Sequence, residues 1–571
     1  MRFVIATVLL VVSAVSVAMG FILKGPFEAS NYHEVSFKVD SPYSYVVIPH
    51  ETLKTYQGEI SVQAEGTKQI FYADARDRDI QDWIGTSNFV RLNLNPSTKE
   101  PDITQITAGG DNANPEGSDM WRTAIKVKNS LLTQVNMFDD TAVLLASDGL
   151  AHAPGDITLK WQVANIINWP FILIFGGLGL LLVALIVNYL AFRHVRKLRG
   201  PKRRIPKAPK GPKYRKRIRP DVPVRGRRSL RRNMALAPAS LLTWTLLTGC
   251  TSPSTADEQA QTAYEKVNVV LTDAQLQRVV REVSATVKQA DSNRNESLLI
   301  TRVAGPALET RKVQYLLQVK SKKIPKLPDI VANPITVALP MSLPDESLGW
   351  QPRTLMVVTK SDSTTRAPQM LVLQQESPRE NYRLWYLIDL LPTANFPKVA
   401  AQEVGSIPIA ADNAYLSTKL TSIPFKYGNT LNNGAEGKYA NDFDLSSDKF
   451  YAAVSEYQTQ QKEDLKKVKV AIKFVHTLGN PNIIGMSTVD GGGLVALAMN
   501  DTSVIKPLVR GSAVSVTQTD HKILLGAPGS STGLNIVYEN LMLFYVPVAG
   551  SNEKIRLVGA SQGILSVKAL N

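Results

Sequence analysis

At 571 residues the chain is too long for one core, so two to four domains are expected, and 44% hydrophobic residues at a mean hydropathy of −0.07 exclude a polytopic transporter. A single cysteine excludes any intramolecular disulfide, and with it the disulfide-stapled class of exported domains. The net charge of +16 is local: Arg193 to Arg232 hold 19 Lys and Arg against one acid, Asp221, so this run carries +18 and the rest of the chain sums to −2, which gives the remaining domains no signature of a polyanion partner.

Residues 1–23 are apolar after Arg2. Cleavage as a signal peptide would use the small residues Ser16, Val17 and Ala18. An uncleaved anchor would use the whole run, and its continuation to Leu23 favours the anchor. Residues 24–168 read as β. Val35, Phe37 and Val39 alternate, as do Ile60, Val62 and Ala64, and further strand-like runs span Thr123–Asn136, Thr141–Ala146 and Ile157–Val163. A helical turn is expected at Asp79–Gly85. Short strands punctuated by Gly, Pro, Asn and Asp predict an all-β, sandwich-like ectodomain.

Residues 169–192 are the clearest membrane span. About 22 uncharged residues from Phe171 to Phe192 lie between Trp169 and Tyr189, and the basic run that follows puts that end inside by the positive-inside rule. The loop 193–233 is extended and solvated, with Pro201, Pro206, Pro209, Pro212, Pro220 and Pro223 spread among its cations. Its expected partner is the anionic lipid headgroup. One aromatic, Tyr214, argues against nucleic-acid base stacking.

Residues 234–250 are apolar but short, and Pro238 interrupts them, as in the core of an export signal. They end on Leu247, Thr248, Gly249 and Cys250, the pattern of a bacterial lipobox. The thiol of Cys250 would accept the lipid, and the small residues before it would admit the signal peptidase. Cleavage there would separate a two-helix membrane fragment from a lipoprotein.

Residues 251–395 and 396–571 read as two extracytoplasmic α+β domains. Thr272 to Gln275 form a capping box before Leu276, Val279, Val283 and Val287 at helical spacing. A second helix is expected over Ser297–Leu308, then strands at Leu355–Thr359, Met370–Gln374 and Tyr382–Leu387. The pattern recurs: a helix over Ser447–Lys467 buries Phe450, Val454, Tyr457 and Leu465, and strands follow from Val468 onward. This repetition resembles tandem cystatin- or NTF2-like folds.

Several motifs fail on context. Gly559 to Gly563 matches a nucleophile elbow at Ser561, but no His follows, and a strand rather than a helix comes next. Asp291 to Asn295 opens like a calcium loop, yet Glu296 stands where Gly is required, so a helix-ending turn is expected. Gly491 to Gly493 reads as a hairpin tip. The acidic cluster Asp74, Asp77, Asp79 and Asp82 alternates with Arg76 and Arg78 and reads as a solvated, self-paired surface. Trp83 and Trp121 read as buried core aromatics. No metal-ligand spacing and no cofactor motif emerge, and catalytic residues are assigned to none.

The chain resembles actinobacterial membrane proteins that join a two-helix ectodomain protein, through a basic loop, to a lipobox and a C-terminal domain of unknown function. The matching stretches are Asp82 to Gly85, Ser118 to Trp121, the loop with Arg227 and Arg228, Leu247 to Cys250, Pro368 to Gln375, Ser377 to Arg379 and Tyr382 to Trp385. That resemblance implies location and no activity. The expected function is a non-enzymatic plasma-membrane protein of the cell envelope that binds an envelope protein or glycan. The alternatives are an enzyme acting on wall glycan and a nucleic-acid binder working through the basic loop.

Overall fold

The structure, a computed structural model, describes residues 2–24, 32–162, 169–198, 268–363, 366–392 and 394–571. The basic loop beyond Leu198, the apolar stretch 234–250 and the lipobox with Cys250 lie outside the described residues. Two compact units are present: residues 1–33 with 162–262, and residues 34–161 with 263–571.

The first unit is a helix pair, α1 (Arg2–Lys24) and α4 (Trp169–Leu198). Both are long and apolar enough to cross a membrane. They touch through small residues: Ser13 Oγ donates to the Gly177 carbonyl at 2.8 Å, and a Cβ on Gly177 would stand 2.7 Å from the Val17 side chain. Their outward faces are apolar, with Phe21, Phe175 and Leu182 exposed. Helix α4 continues past the expected end at Phe192 and closes on Arg196 and Lys197, cations that favour a helix C-terminus.

In the second unit, residues 34–161 build one eight-stranded sheet. Its strands are β1 (Tyr32–Lys38), β2 (Tyr45–Ile48), β3 (Ile60–Arg76), β4 (Phe89–Leu94), β5 (Pro101–Ile106), β6 (Thr123–Gln134), β7 (Thr141–Ala146) and β8 (Asp156–Gln162). They run in the order β1-β8-β3-β7-β2-β4-β5, with β6 on the second edge of β3. This corrects the expected two-sheet sandwich to a barrel-like arrangement. The reason is β3, whose 17 residues pair with β8 and then β7 along one edge and with β6 along the other. An irregularity between Glu65 and Gln69 turns it, so one sheet wraps instead of two stacking. Every residue of β2 and β7 is buried. Val46, Ile48, Val143 and Leu145 face one core, which Leu53 of a helical turn α2 (His50–Leu53) joins, while Tyr45, Val47, Ala142 and Leu144 face a second under the helix α3 (Asp77–Ile84), in which Ile80, Trp83 and Ile84 are buried.

Residues 268–571 are α+β, as expected. Helix α5 (Asp273–Asn293) opens on the predicted capping box: Thr272 Oγ1 accepts from Gln275 N–H, and Gln275 Oε1 accepts from Thr272 N–H at 3.0 Å. The expected helix over Ser297–Leu308 is broken into a turn α6 (Glu296–Leu299) and a longer α7 (Gly305–Lys320). Residues between them are held as backbone partners of strand residue Leu384, through the Val303 bridge and the Ala304 N–H, which a helix could not allow. Strands β9 (Ile335–Pro340), β10 (Arg353–Thr359), β11 (Gln369–Gln375) and β12 (Arg383–Asp389) form an antiparallel sheet in the order β12-β11-β10-β9.

A second sheet contains β13 (Pro408–Ile409), β14 (Val470–Leu478), β15 (Ile484–Ser487), β16 (Gly493–Pro507), β19 (Leu534–Val546) and β20 (Arg556–Ala569), with a ribbon β17 (Val514–Ser515) and β18 (Gly529–Ser530) beside it. Helices α8 (Ile423–Asn433), α9 (Lys449–Lys467) and α10 (Thr519–Leu525) complete the unit. One apolar core joins both sheets, combining Leu355, Val357 and Leu371 with Leu494, Ala496 and Leu543. In α9, Phe450 and Val454 pack inward as expected, but Tyr457 is 54% exposed and Gln458 is the buried residue, because His476 lies opposite.

Candidate functional site

The densest buried chemistry lies along the seam between residues 34–161 and residues 268–571. The acidic cluster expected to be a solvated surface is here. Asp79, in the first turn of α3, is 2% exposed and sits between two guanidiniums, Arg353 Nη2 at 2.5 Å and Arg76 Nη1 at 2.9 Å. Burial alone would raise its pKa, and Arg353 and Arg76 together hold it below the usual carboxylate range. Burial lowers the pKa of Arg76, against the pull of Asp79, while for Arg353 the Asp79 charge and hydrogen bond outweigh burial. The alternating carboxylates and guanidiniums are therefore paired, but with partners from the other half of the chain as well as with each other.

A second centre forms at Asp119. Arg302 reaches it with both terminal nitrogens, Nη1 at 2.5 Å and Nη2 at 3.2 Å, a bidentate pair. Tyr382 N–H donates to the same carboxylate at 2.8 Å, and Asp119 N–H donates to Asn381 Oδ1 at 2.9 Å. Arg302 Nη2 also donates to Glu282 at 2.6 Å. Arg302 is where it is because the chain between α6 and α7 is pinned to β12.

The third centre uses no carboxylate. Arg379 donates to the carbonyls of Trp83 at 2.9 Å, Ile84 at 2.8 Å and Asp111 at 2.9 Å, and to Ser87 Oγ at 2.7 Å. The first two carbonyls end α3, where the helix presents orphan acceptors and partial negative charge. The Arg379 guanidinium also lies 5.4 Å from the Trp83 ring, which meets Trp121 at 5.3 Å and Tyr45 edge-on at 5.7 Å. Arg278 caps the carbonyls of Trp121 at 2.5 Å and Arg122 at 3.2 Å. From the other side, Arg76 donates to the Val269 and Val270 carbonyls, and Arg78 to Pro344 at 3.2 Å and Gly349 at 2.8 Å. Six guanidiniums thus cross the seam among the described residues.

At its edge the seam opens into a polar cleft of about 570 Å³ lined by His50, Asp77, Arg78, Asp82, Asp140 and Glu346, among others. Burial raises the pKa of Asp77 and of Asp82. A separate groove of about 520 Å³ is mostly apolar, with Met341, Leu343, Ile407, Ile409 and Ile483 in its wall. On the second sheet His476, Asp501 and Tyr538 are cross-strand neighbours on β14, β16 and β19. His476 Nδ1 stands 3.6 Å from Asp501 Oδ1, and Tyr538 Oη is 2.7 Å from His521 Nε2. Burial lowers His476 to about 4 and raises Asp501 to about 6. No group of three or more His, Cys, Asp or Glu side chains suited to a metal ion occurs among the described residues.

The motifs set aside on sequence grounds occupy ordinary positions. Ser561 lies in β20, and its Oγ accepts from Asp389 N–H at 2.9 Å. Asp291 ends α5 and accepts from Arg311 and from Tyr315 Oη, each at 2.5 Å, so protein donors fill the supposed calcium position. Gly491 turns the β15–β16 hairpin at φ +80°, a conformation suited to glycine. Trp83 and Trp121 are buried, as expected. Sequence reasoning missed the seam itself. Its signal was charge embedded in apolar surroundings, as in Asp119 before Met120 and Trp121, or Arg353 opening an apolar strand.

Residues 267–569, just over half of the chain, match a family described as a domain of unknown function, DUF8094. The chain belongs to that family. No curated protein and no solved structure matches it. Arg278, Arg302, Arg353 and Arg379 all fall within the DUF8094 span, and their seam partners Asp79, Trp83, Asp119 and Trp121 all precede it.

Proposed function

We propose that the chain is a membrane-anchored protein of the actinobacterial cell envelope, lipidated at Cys250, that serves as a binding or assembly module rather than an enzyme. The observation that supports this reading is the seam. Segments 34–161 and 268–571 are built into one body, so they lie on the same side of any membrane that α4 crosses. A chain leaving through α4 then has to return between residues 199 and 267, where the apolar run 234–250 lies. The basic run after α4 belongs on the cytoplasmic face against anionic headgroups, with both large segments outside. The partner is an envelope protein or glycan, for which the polar cleft and the apolar groove are concave surfaces of suitable size.

The test is a blot of cells carrying tags at both ends, comparing the native sequence with Cys250→Ala. Two fragments from the native chain and one full-length species from the variant support an internal lipoprotein signal. A full-length species in both overturns cleavage and leaves 234–250 as a third anchor.

A further inference from the structure

We infer that the DUF8094 domain carries a dedicated docking face for an acidic β-region, filled in this chain by residues 34–161, and that this docking holds without the covalent link between them. The face is the set Arg278, Arg302, Arg353 and Arg379. Arg353 has Asp79 as its carboxylate partner, and its side chain is 5% exposed. The four oxygens that Arg379 contacts all belong to residues 83–111. Arg302 would keep Glu282 but lose the bidentate pair with Asp119. Removing the β-region would therefore take from Arg353, Arg379 and Arg302 the acceptors just named, and would strip Arg353 from Asp79, which keeps Arg76, and Arg302 from Asp119; the two carboxylate side chains are 3% and 1% exposed.

Charge and shape agree. The docking face offers forked donors, and the β-region offers two carboxylates plus the carbonyls of Trp83, Ile84, Trp121 and Arg122 beside a Trp–Trp pair. Gln275, the capping-box residue of α5, adds a bond to the Met120 carbonyl at 3.1 Å. The link from residue 162 to residue 268 is long, so it raises the local concentration of one half near the other without supplying any of these contacts. The partner for this face is accordingly a β-region of this kind, whether on the same polypeptide or on a severed one.

The inference stands apart from the lipoprotein reading, and so does its test. A site-specific protease sequence is inserted after Pro223 in the Cys250→Ala chain, the protein is solubilised in detergent and cut, and the N-terminal fragment is held by its tag. The C-terminal fragment is expected to stay bound at physiological salt. Replacing Arg302 and Arg379 together with Leu is expected to lower retention roughly ten-fold or more. Should the double variant fail to accumulate, Arg379→Lys keeps the charge but loses the fork and is expected to speed release measurably. Release of the uncorrupted fragment on cutting would overturn the inference. Equal retention of all variants would overturn the assignment of the docking face to these guanidiniums.

Discussion

At the scale of single residues, the buried charges divide into those that are paired and those that are not. Asp79 and Asp119 are ringed by donors. Glu539, on β19, is buried with Oε2 unpartnered, and burial followed by the nearby Glu309 charge raises its pKa to about 7. In the unfolded chain the same carboxyl titrates near 4.5. Between those values the folded state binds more protons than the unfolded one, so the contribution of Glu539 is most favourable below about 4.5 and is lost as pH rises to about 7. Glu539→Gln cannot ionise. It is expected to gain stability over the native chain on going from pH 5 to pH 8, by up to about 3 kcal/mol, read from denaturant midpoints at the two pH values. An unchanged gap would show that Glu539 is already ionised in the fold. Nothing in the local sequence Tyr538-Glu539-Asn540 distinguishes this carboxyl from a solvated one. Its burial depends on α7 lying over the sheet, a contact between positions far apart in the chain.

At the scale of elements, legibility follows how local the cause is. The capping box at Thr272 and Gln275 was readable because four consecutive residues satisfy one another, and α5 begins where they say it should. Strands β10, β11 and β12 were readable for the same reason, as short β-branched and aliphatic runs between turns. The break between α6 and α7 was not, since it depends on a bridge from Val303 to Leu384 across 81 positions. Nor was the closing of β1 to β8 into one wrapped sheet, which depends on the length of β3 and its partners. Gln275 shows both kinds of cause in one side chain. Thr272→Ala removes a cap alone and is expected to cost about 1 kcal/mol. Gln275→Ala removes the reciprocal cap bond and the Met120 contact across the seam, so it is expected to cost more, by denaturant titration of the full chain. An equal or smaller cost would mean that the seam bond contributes nothing.

At the scale of the whole molecule, the seam makes residues 34–161 and 268–571 one cooperative body. With the other tryptophans replaced by Phe, Trp83 and Trp121 fluorescence reports on the first segment, and in a separate variant keeping only Trp385, its fluorescence reports on the second. The two signals are expected to melt together. Asp119→Ala leaves Arg302 without its bidentate partner, a loss of about 3–5 kcal/mol for a broken buried pair, and is expected to pull the two transitions apart. Coincident transitions at an unchanged temperature in that variant would show that the apolar contacts, not the ion pairs, couple the halves. The wrong reading of Asp74 to Asp82 as a surface belongs to this scale. A run of alternating charges is satisfied by water unless another part of the chain arrives to cover it, and no local pattern announces that arrival.

That dependence also sets a schedule for synthesis. The last strand of the eight-stranded sheet is complete at Gln162, but Asp119 does not meet its final donor until Tyr382 has been made, roughly 220 residues later. At ~5–20 residues per second this leaves an interval of about 10–45 s. During that time Asp119 and Asp79 still lack donors that come from Arg302, Arg353 and Tyr382. The nascent β-region is therefore the stage at which the molecule is most open to proteolysis and to wrong partners, and a ribosome stalled before Tyr382 would release a protein that has folded its sheet and has nothing to close it.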